Sequence, residues 1–463
     1  MQNSNINFFI LLFISFIYVP LSIVSGLALA PLLVILGVFS FSNGRFSFIK
    51  KLLKTNYNTY LVGLFFFAVL TSFSSSNVEY SFVSLVKILG VFLCGFAALY
   101  NKQYLREEYK KIFAIVFIAG YSLGIILISV ELFSDGIFTK ALRYLINQEE
   151  YTGYRPESLN RGACVLAISF WLFSAAINYL QINKKLYLTM GCWMVVMSIM
   201  MLQESSSAKL SFVVSSVVYA SFLILKCKFM KLYLILFLLF ILLFPIVFLA
   251  VPAKIIYNDY PSIPDSMVHR MVIWNFSMQR MYDKPYTGWG INAARYIPGA
   301  SDQVPSIIDE ERTWKRIPNH SHNIMIQIGV ELGLVGILFF MAYISTFMHS
   351  IRLNEKDILK KTTAITVITS YLIIGFFAFS VWQEWWLSTA FLIAVMYSFV
   401  FGDAEMSTEV TDIVDESTSK DKNGDIEESK DSLKGNKGKG SGRKENDKVS
   451  SGKGKDRNVK NKG

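Results

Sequence analysis

The chain is poor in the residues from which soluble catalytic and metal centres are usually built. Only four of its 463 residues are histidine and four are cysteine, and charged residues make up 17%. Cys94, Cys164 and Cys192 fall inside apolar stretches, and Cys227 lies in a short basic loop. No cysteine pair has the spacing of a metal site or the context of a disulfide, so all four read as packing residues. No metal or cofactor is expected. No internal repeat of fixed period is present. So little charge leaves no room for a soluble hydrolase or a nucleic-acid binder.

What the chain has is apolar length. Hydrophobic residues reach 53%, aromatics 15%, and the mean hydropathy is +0.42, the profile of a polytopic membrane protein. Crossing the hydrocarbon core takes about 20 apolar residues, and the sequence predicts an all-α fold with twelve such helices. They fall near 6–24, 27–43, 59–75, 80–100, 111–132, 160–181, 186–203, 206–226, 231–252, 323–350, 360–380 and 383–401. The first is not expected to be a cleaved signal. Its start has no basic side chain, Pro31 follows the small residues Ala28-Leu29-Ala30, and the apolar stretch is too long.

Basic residues sort the loops. Arg45, Lys50, Lys51 and Lys54, then Lys102, Arg106, Lys110 and Lys111, then Lys184 and Lys185 fall between alternate helix pairs. Lys226, Lys228 and Lys231, and Arg352, Lys360 and Lys361 continue the alternation. Basic loops mark the cytoplasmic side, so both termini are expected there. Two longer loops then lie outside, near 133–159 and over 253–322. The second, with Trp274, Trp289, Trp314, Pro285 and Pro298, has the composition to fold into short helices. Residues 1–402 are read as the membrane domain. Residues 403–463 begin acidic and end lysine- and glycine-rich, supplying much of the net charge of +11. They cannot bury enough surface to offset ordering entropy and are expected to be a disordered cytoplasmic tail.

Polar groups gather at the outer ends of the helices. Asn160-Arg161-Gly162 opens one, Ser205-Ser206-Ser207-Ala208-Lys209 a second, and Asn319-His320-Ser321-His322-Asn323 a third. His269-Arg270, followed by Trp274, starts a helix in the large loop. Arginine and lysine at a membrane face suit a diphosphate, although each could equally snorkel to the interface or meet a carboxylate. His322 is the candidate general base, because imidazole titrates near neutrality. It could also be a plain interfacial residue ahead of the capping residue Asn323. His320 is its understudy, His269 ranks lower, and His349 belongs to the inner side. Asn323, Gln327 and Glu331 recur every fourth residue and share a helix face. Glu331 would lie about 12 Å below Asn323, a depth similar to that of Lys87, so the two could form an ion pair, or each could meet water or another polar group.

The run His322-Asn323, nine residues, Gly333-x-x-Gly336, with Glu331 just before, resembles the signature of the O-antigen ligase and polymerase superfamily of membrane glycosyltransferases. Arg270-x-x-x-Trp274, Asp283-Lys284-Pro285 and Gly288-Trp289-Gly290 resemble the segment ahead of that motif. The resemblance implies inverting, metal-independent transfer of a glycan from an undecaprenyl-diphosphate carrier to an acceptor outside the inner membrane. His322 would deprotonate the acceptor hydroxyl, while Arg161 and Arg270, with Lys209, hold the diphosphate. Many relatives have Ser-Arg-Gly where this chain has Ser-Ser-Ala-Lys, which weakens Lys209. Ligation of O-antigen to lipid A-core leads. A polymerase, a protein O-oligosaccharyltransferase and a lipid-linked glycan transporter remain as alternatives.

Overall fold

The computed structural model describes residues 2–43, 49, 55–100, 107–145, 156–247, 253–260, 262–308 and 311–402. The tail and the basic residues Arg45, Lys50, Lys51, Lys54, Lys102 and Arg106 lie outside the described residues. The described chain is almost entirely helical. In order, the helices are α1 (Gln2–Ser25), α2 (Leu29–Asn43), α3 (Asn56–Ser72), α4 (Val78–Tyr100) and α5 (Glu107–Phe133). Then follow α6 (Ile137–Leu145), α7 (Asn160–Tyr179), α8 (Lys185–Leu202), α9 (Ser206–Ile224) and α10 (Met230–Leu243). The last are α11 (Ala253–Asp259), α12 (Asp265–Asp283), α13 (Ile324–Asn354), α14 (Ile358–Phe377) and α15 (Glu384–Phe401). A two-stranded antiparallel hairpin pairs β1 (Gln303–Pro305) with β2 (Thr313–Lys315).

In lipid, backbone N–H and C=O groups must find partners within the chain, so apolar runs of this length become helices. Each of the twelve expected spans coincides with one. Nine helical segments among the described residues are long and apolar enough to cross a membrane. One of these, Phe8–Phe41, holds both α1 and α2, bent at the short 3-10 turn Gly26–Ala28. Tyr57–Ser72 and Met230–Ile246 are apolar but shorter. The protein is therefore an all-α, multi-pass membrane protein.

Helix α7 is the central post. Its apolar window is 89% buried, whereas that of α8 is 17% buried and turns its apolar side chains outward to lipid. Around α7 pack α1, α5, α9 and α14. The pairs α2·α4 and α3·α13 extend the bundle on one side. The segment between α10 and α13 holds α11, α12 and the hairpin, with its own apolar core of Val268, Met271, Ile273, Trp274, Ile297 and Ile317.

Helix α13 is broken. Gly333, at φ 63° and ψ −165°, occupies a region nearly closed to side chains. The break frees backbone groups that a continuous helix would pair internally. The Gly-Trp-Gly segment takes them: Trp289 N–H donates to Val330 O (3.0 Å) and Gly290 N–H to Glu331 O (2.8 Å). Leu334 N–H donates in turn to Pro285 O (2.8 Å). Contact is so close that a Cβ on Gly333 would lie 2.4 Å from the Tyr286 carbonyl, and one on Gly288 2.3 Å from that of Glu331. The two glycine motifs thus form one backbone joint between the large loop and the helix after the histidines.

Candidate active site

The histidine loop is fixed from three sides. Asn323 caps α13, its Oδ1 accepting from Met325 N (2.9 Å) and Ile326 N (3.0 Å). From α12, Trp274 Nε1 donates to the Ser321 carbonyl (2.8 Å), and the Ser277 and Ser321 hydroxyls lie 3.3 Å apart. The third support is the corner between α14 and α15. There the Ala378 carbonyl accepts from His322 Nδ1 at 2.6 Å and faces His320 Nε2 at 3.4 Å.

These contacts define the chemistry of the imidazole. A carbonyl can only accept, so Nδ1 of His322 carries the proton and Nε2 keeps its lone pair. The two histidine rings lie 4.1 Å apart. Burial pushes His322 down to about 4, the Ala378 bond opposes this, and Arg270 and His269 push it further down. Burial lowers His320 to about 3, with His322, Arg295 and Arg270 adding repulsion. Both rings are neutral at physiological pH, and a neutral imidazole with a free Nε2 can take a proton from a hydroxyl. His322 itself sits at φ 52°, a left-handed backbone held by the three supports.

The cations divide. Arg270 lies one turn before Trp274 on the same face of α12, half-buried, and burial lowers its pKa. It acts on both histidines, and no side-chain partner holds it among the described residues. Arg161 stands at the same corner by another route. Its guanidinium lies 5.7 Å from the Trp385 ring, which meets Phe379, the neighbour of Ala378, at 4.7 Å. Lys209 is half-buried in the first turn of α9, with no side-chain contact tying it to the histidine pair among the described residues. His269 is occupied elsewhere, stacked on Trp314 at 4.9 Å with Nε2 3.0 Å from the Lys315 carbonyl.

Of the two arrangements open to Glu331, the ion pair with Lys87 does not form and other polar groups take the carboxylate. Lys87 lies on an exposed face of α4, while Glu331 is fully buried in a different setting. Its carboxylate accepts from Asn292 N (3.0 Å), Ala294 N (3.3 Å), Gln327 Nε2 (3.2 Å) and Trp382 Nε1. Four donors satisfy a buried carboxylate as an ion pair would, so no lysine is needed. The break at Gly333 brings the 292–294 loop to that carboxylate, an event no helical spacing forecasts. The shared face of Asn323, Gln327 and Glu331 does form. Gln327 also donates to Ser380 Oγ (2.8 Å) and accepts from Val381 N (3.2 Å), fastening α13 to the corner that holds the histidines.

Two parts of the site escaped the sequence reading. Arg295 lies next to Ala294, its guanidinium 5.3 Å from the Tyr80 ring and its buried Nε without a hydrogen-bond partner among the described residues. It is close enough to bear on His320. The other part is the 378–382 corner, whose main contribution is a backbone carbonyl. The cluster Trp382, Trp385, Trp386, running from the corner into the first turn of α15, is its sequence signal. Among the described residues, no group of three or more His, Cys, Asp or Glu could hold a metal ion.

A neutral base beside convergent arginines, at one pole of a helical bundle, is an arrangement for moving a group attached to an anionic leaving group. The O-Antigen ligase family matches residues 191–341, the stretch from α8 into α13 that includes α12, both glycine motifs and the histidine loop. A Rickettsia conorii protein provisionally named a polysaccharide ligase is 26% identical over 323 residues, covering 70% of this chain and 73% of its own. A Rickettsia bellii protein with the same provisional name is 26% identical over 317 residues, covering 68% and 73%. Over residues 191–341 this multi-pass membrane protein thus resembles the O-antigen ligase family, and along about 70% of its length it is similar to proteins provisionally named polysaccharide ligases.

Proposed function

We propose that the protein transfers a glycan from an undecaprenyl-diphosphate carrier to an acceptor hydroxyl at the outer face of the bacterial inner membrane, with ligation of O-antigen to lipid A-core as the reaction. The observation that carries this reading is the Ala378 carbonyl on Nδ1 of His322, which leaves Nε2 as a base beside Arg270. Nε2 takes the acceptor proton as the acceptor oxygen bonds to the anomeric carbon of the donor sugar. The bond from that carbon to the diphosphate oxygen breaks with its electron pair. Displacement from the opposite face inverts the anomeric centre and asks nothing of a metal. Arg270 and Arg161, with Lys209 as an outlying cation, neutralise charge as it builds on the diphosphate, where fixed donors contribute most. Asn323 and Glu331 act through the loop, by holding it. Lys87 is left without a role.

The test is a His322→Ala protein expressed to equal level in the native host, with surface glycan read by gel ladder and glycolipid analysis. Removing a general base costs about 10²–10⁴-fold in rate, so long glycan on the lipid core should vanish while carrier-linked polymer accumulates. Loss of the polymer itself, leaving single units, would mean a polymerase. An unchanged ladder would remove His322 from the mechanism.

A further inference from the structure

Helix α12 has a second working face. Arg270, Trp274 and Ser277 point to the histidine loop. At 3.6 residues per turn, Val272, Asn275, Phe276 and Gln279 lie about half a turn away on the opposite side. There they line an open cavity of about 320 Å³, bordered by Lys254, Ile307, Arg280 and Arg316. We infer that this cavity is a binding subsite for an acidic sugar unit of the glycan.

The lining is matched to such a ligand. The guanidinium groups of Arg280 and Arg316 each lie 5.2 Å from the buried ring of Phe276, which braces both at the cavity. Asp283 takes one arm of Arg280 at 2.9 Å, and Asp302 one arm of Arg316 at 3.4 Å. Each carboxylate is about half exposed, at 45% and 56%. The remaining donors stay available, and the buried Nε of Arg280 has no hydrogen-bond partner among the described residues. A planar fork of this kind suits a carboxylate or phosphate. Gln279 donates to the Asn275 oxygen at 3.1 Å, keeping its own oxygen for a sugar hydroxyl. Ligand pockets run from about 300 to 1,000 Å³, so the volume admits one or two sugar units rather than a lipid. The ligand class rests on the polysaccharide reading of the site on the other face.

The experiment is calorimetric titration of the full chain in lipid nanodiscs with digalacturonic acid, with glucose 1-phosphate, and with the neutral methyl ester of the first. At least one acidic probe should bind about tenfold more tightly than the ester, the worth of one charged hydrogen bond. Arg280→Gln with Arg316→Gln should abolish that preference. Lys254→Gln, on the exposed rim, should weaken it in a protein whose core is untouched. His322→Ala should leave it in place, which separates this subsite from the transfer reaction. Equal binding of acid and ester, a preference that survives loss of both arginines, or one that disappears with Arg270→Ala would each overturn the inference.

Discussion

At the scale of single residues, a backbone carbonyl does the decisive work. Ala378 O fixes the tautomer of His322, and burial holds the ring neutral far below the ordinary histidine range. A base must be unprotonated to act, and its folded pKa is depressed to about 4. The rate constant kcat/KM reports the free enzyme. Measured on a lipid-linked donor, it should therefore stay level as pH falls through the usual histidine range and drop only as pH approaches about 4. An acid limb centred on the ordinary value would mean that the ring is not held as described. The same shift has a stability consequence. The unfolded histidine binds a proton first as pH falls, so the stability gained by keeping it neutral is whole above about 6.5. It is lost progressively as pH falls to about 4. The hydrogen-exchange protection of residues 319–323, corrected for the intrinsic pH dependence of exchange, should fall across that window.

At the scale of elements, the joint at Gly333 sets what the histidine helix can reach. Gly333→Ala would place a Cβ 2.4 Å from the Tyr286 backbone in a conformation that itself costs about 1–3 kcal/mol. The variant should melt lower and lose transfer, with the Gly288-Trp289-Gly290 segment released to proteolysis. A second element-scale prediction concerns Glu331. Glu331→Gln turns an amide N–H₂ toward donors that need an acceptor, a cost of about 1–3 kcal/mol. It should loosen the 292–295 loop and the 378–382 corner together. Glu331→Lys should be inactive, and adding Lys87→Glu should not restore it. Restoration would return the ion pair that the fold replaces with four hydrogen-bond donors.

At the scale of the molecule, the histidine loop, the start of α7, the turn at Gly26 and the α14–α15 corner share one pole. Arg161 closes on Gly26 from one side and on Trp385 from the other. The basic loops Lys184-Lys185, Lys226-Lys228 and Arg352 belong to the opposite ends of the same helices. We expect alkaline phosphatase inserted after Asp302 to be active in a growing cell and the same reporter at the chain's end to be silent. The reverse pattern would invert the orientation proposed from the basic loops.

The sequence by itself determined the helices, because a long apolar run in lipid has no other way to satisfy its backbone. It determined the capping of α13 by Asn323 and the shared face of Asn323, Gln327 and Glu331, since both follow from local geometry. It also brought forward His322, Arg270 and Arg161 by residue type and position. Tertiary structure decided the rest. Which carbonyl would meet His322, that Arg295 would join the histidines, and that Glu331 would bind amides rather than Lys87 all depend on segments far apart in the chain. They meet because a single glycine breaks α13 and lets the large loop dock into the gap, and helical periodicity carries no information about a contact made where the helix ends.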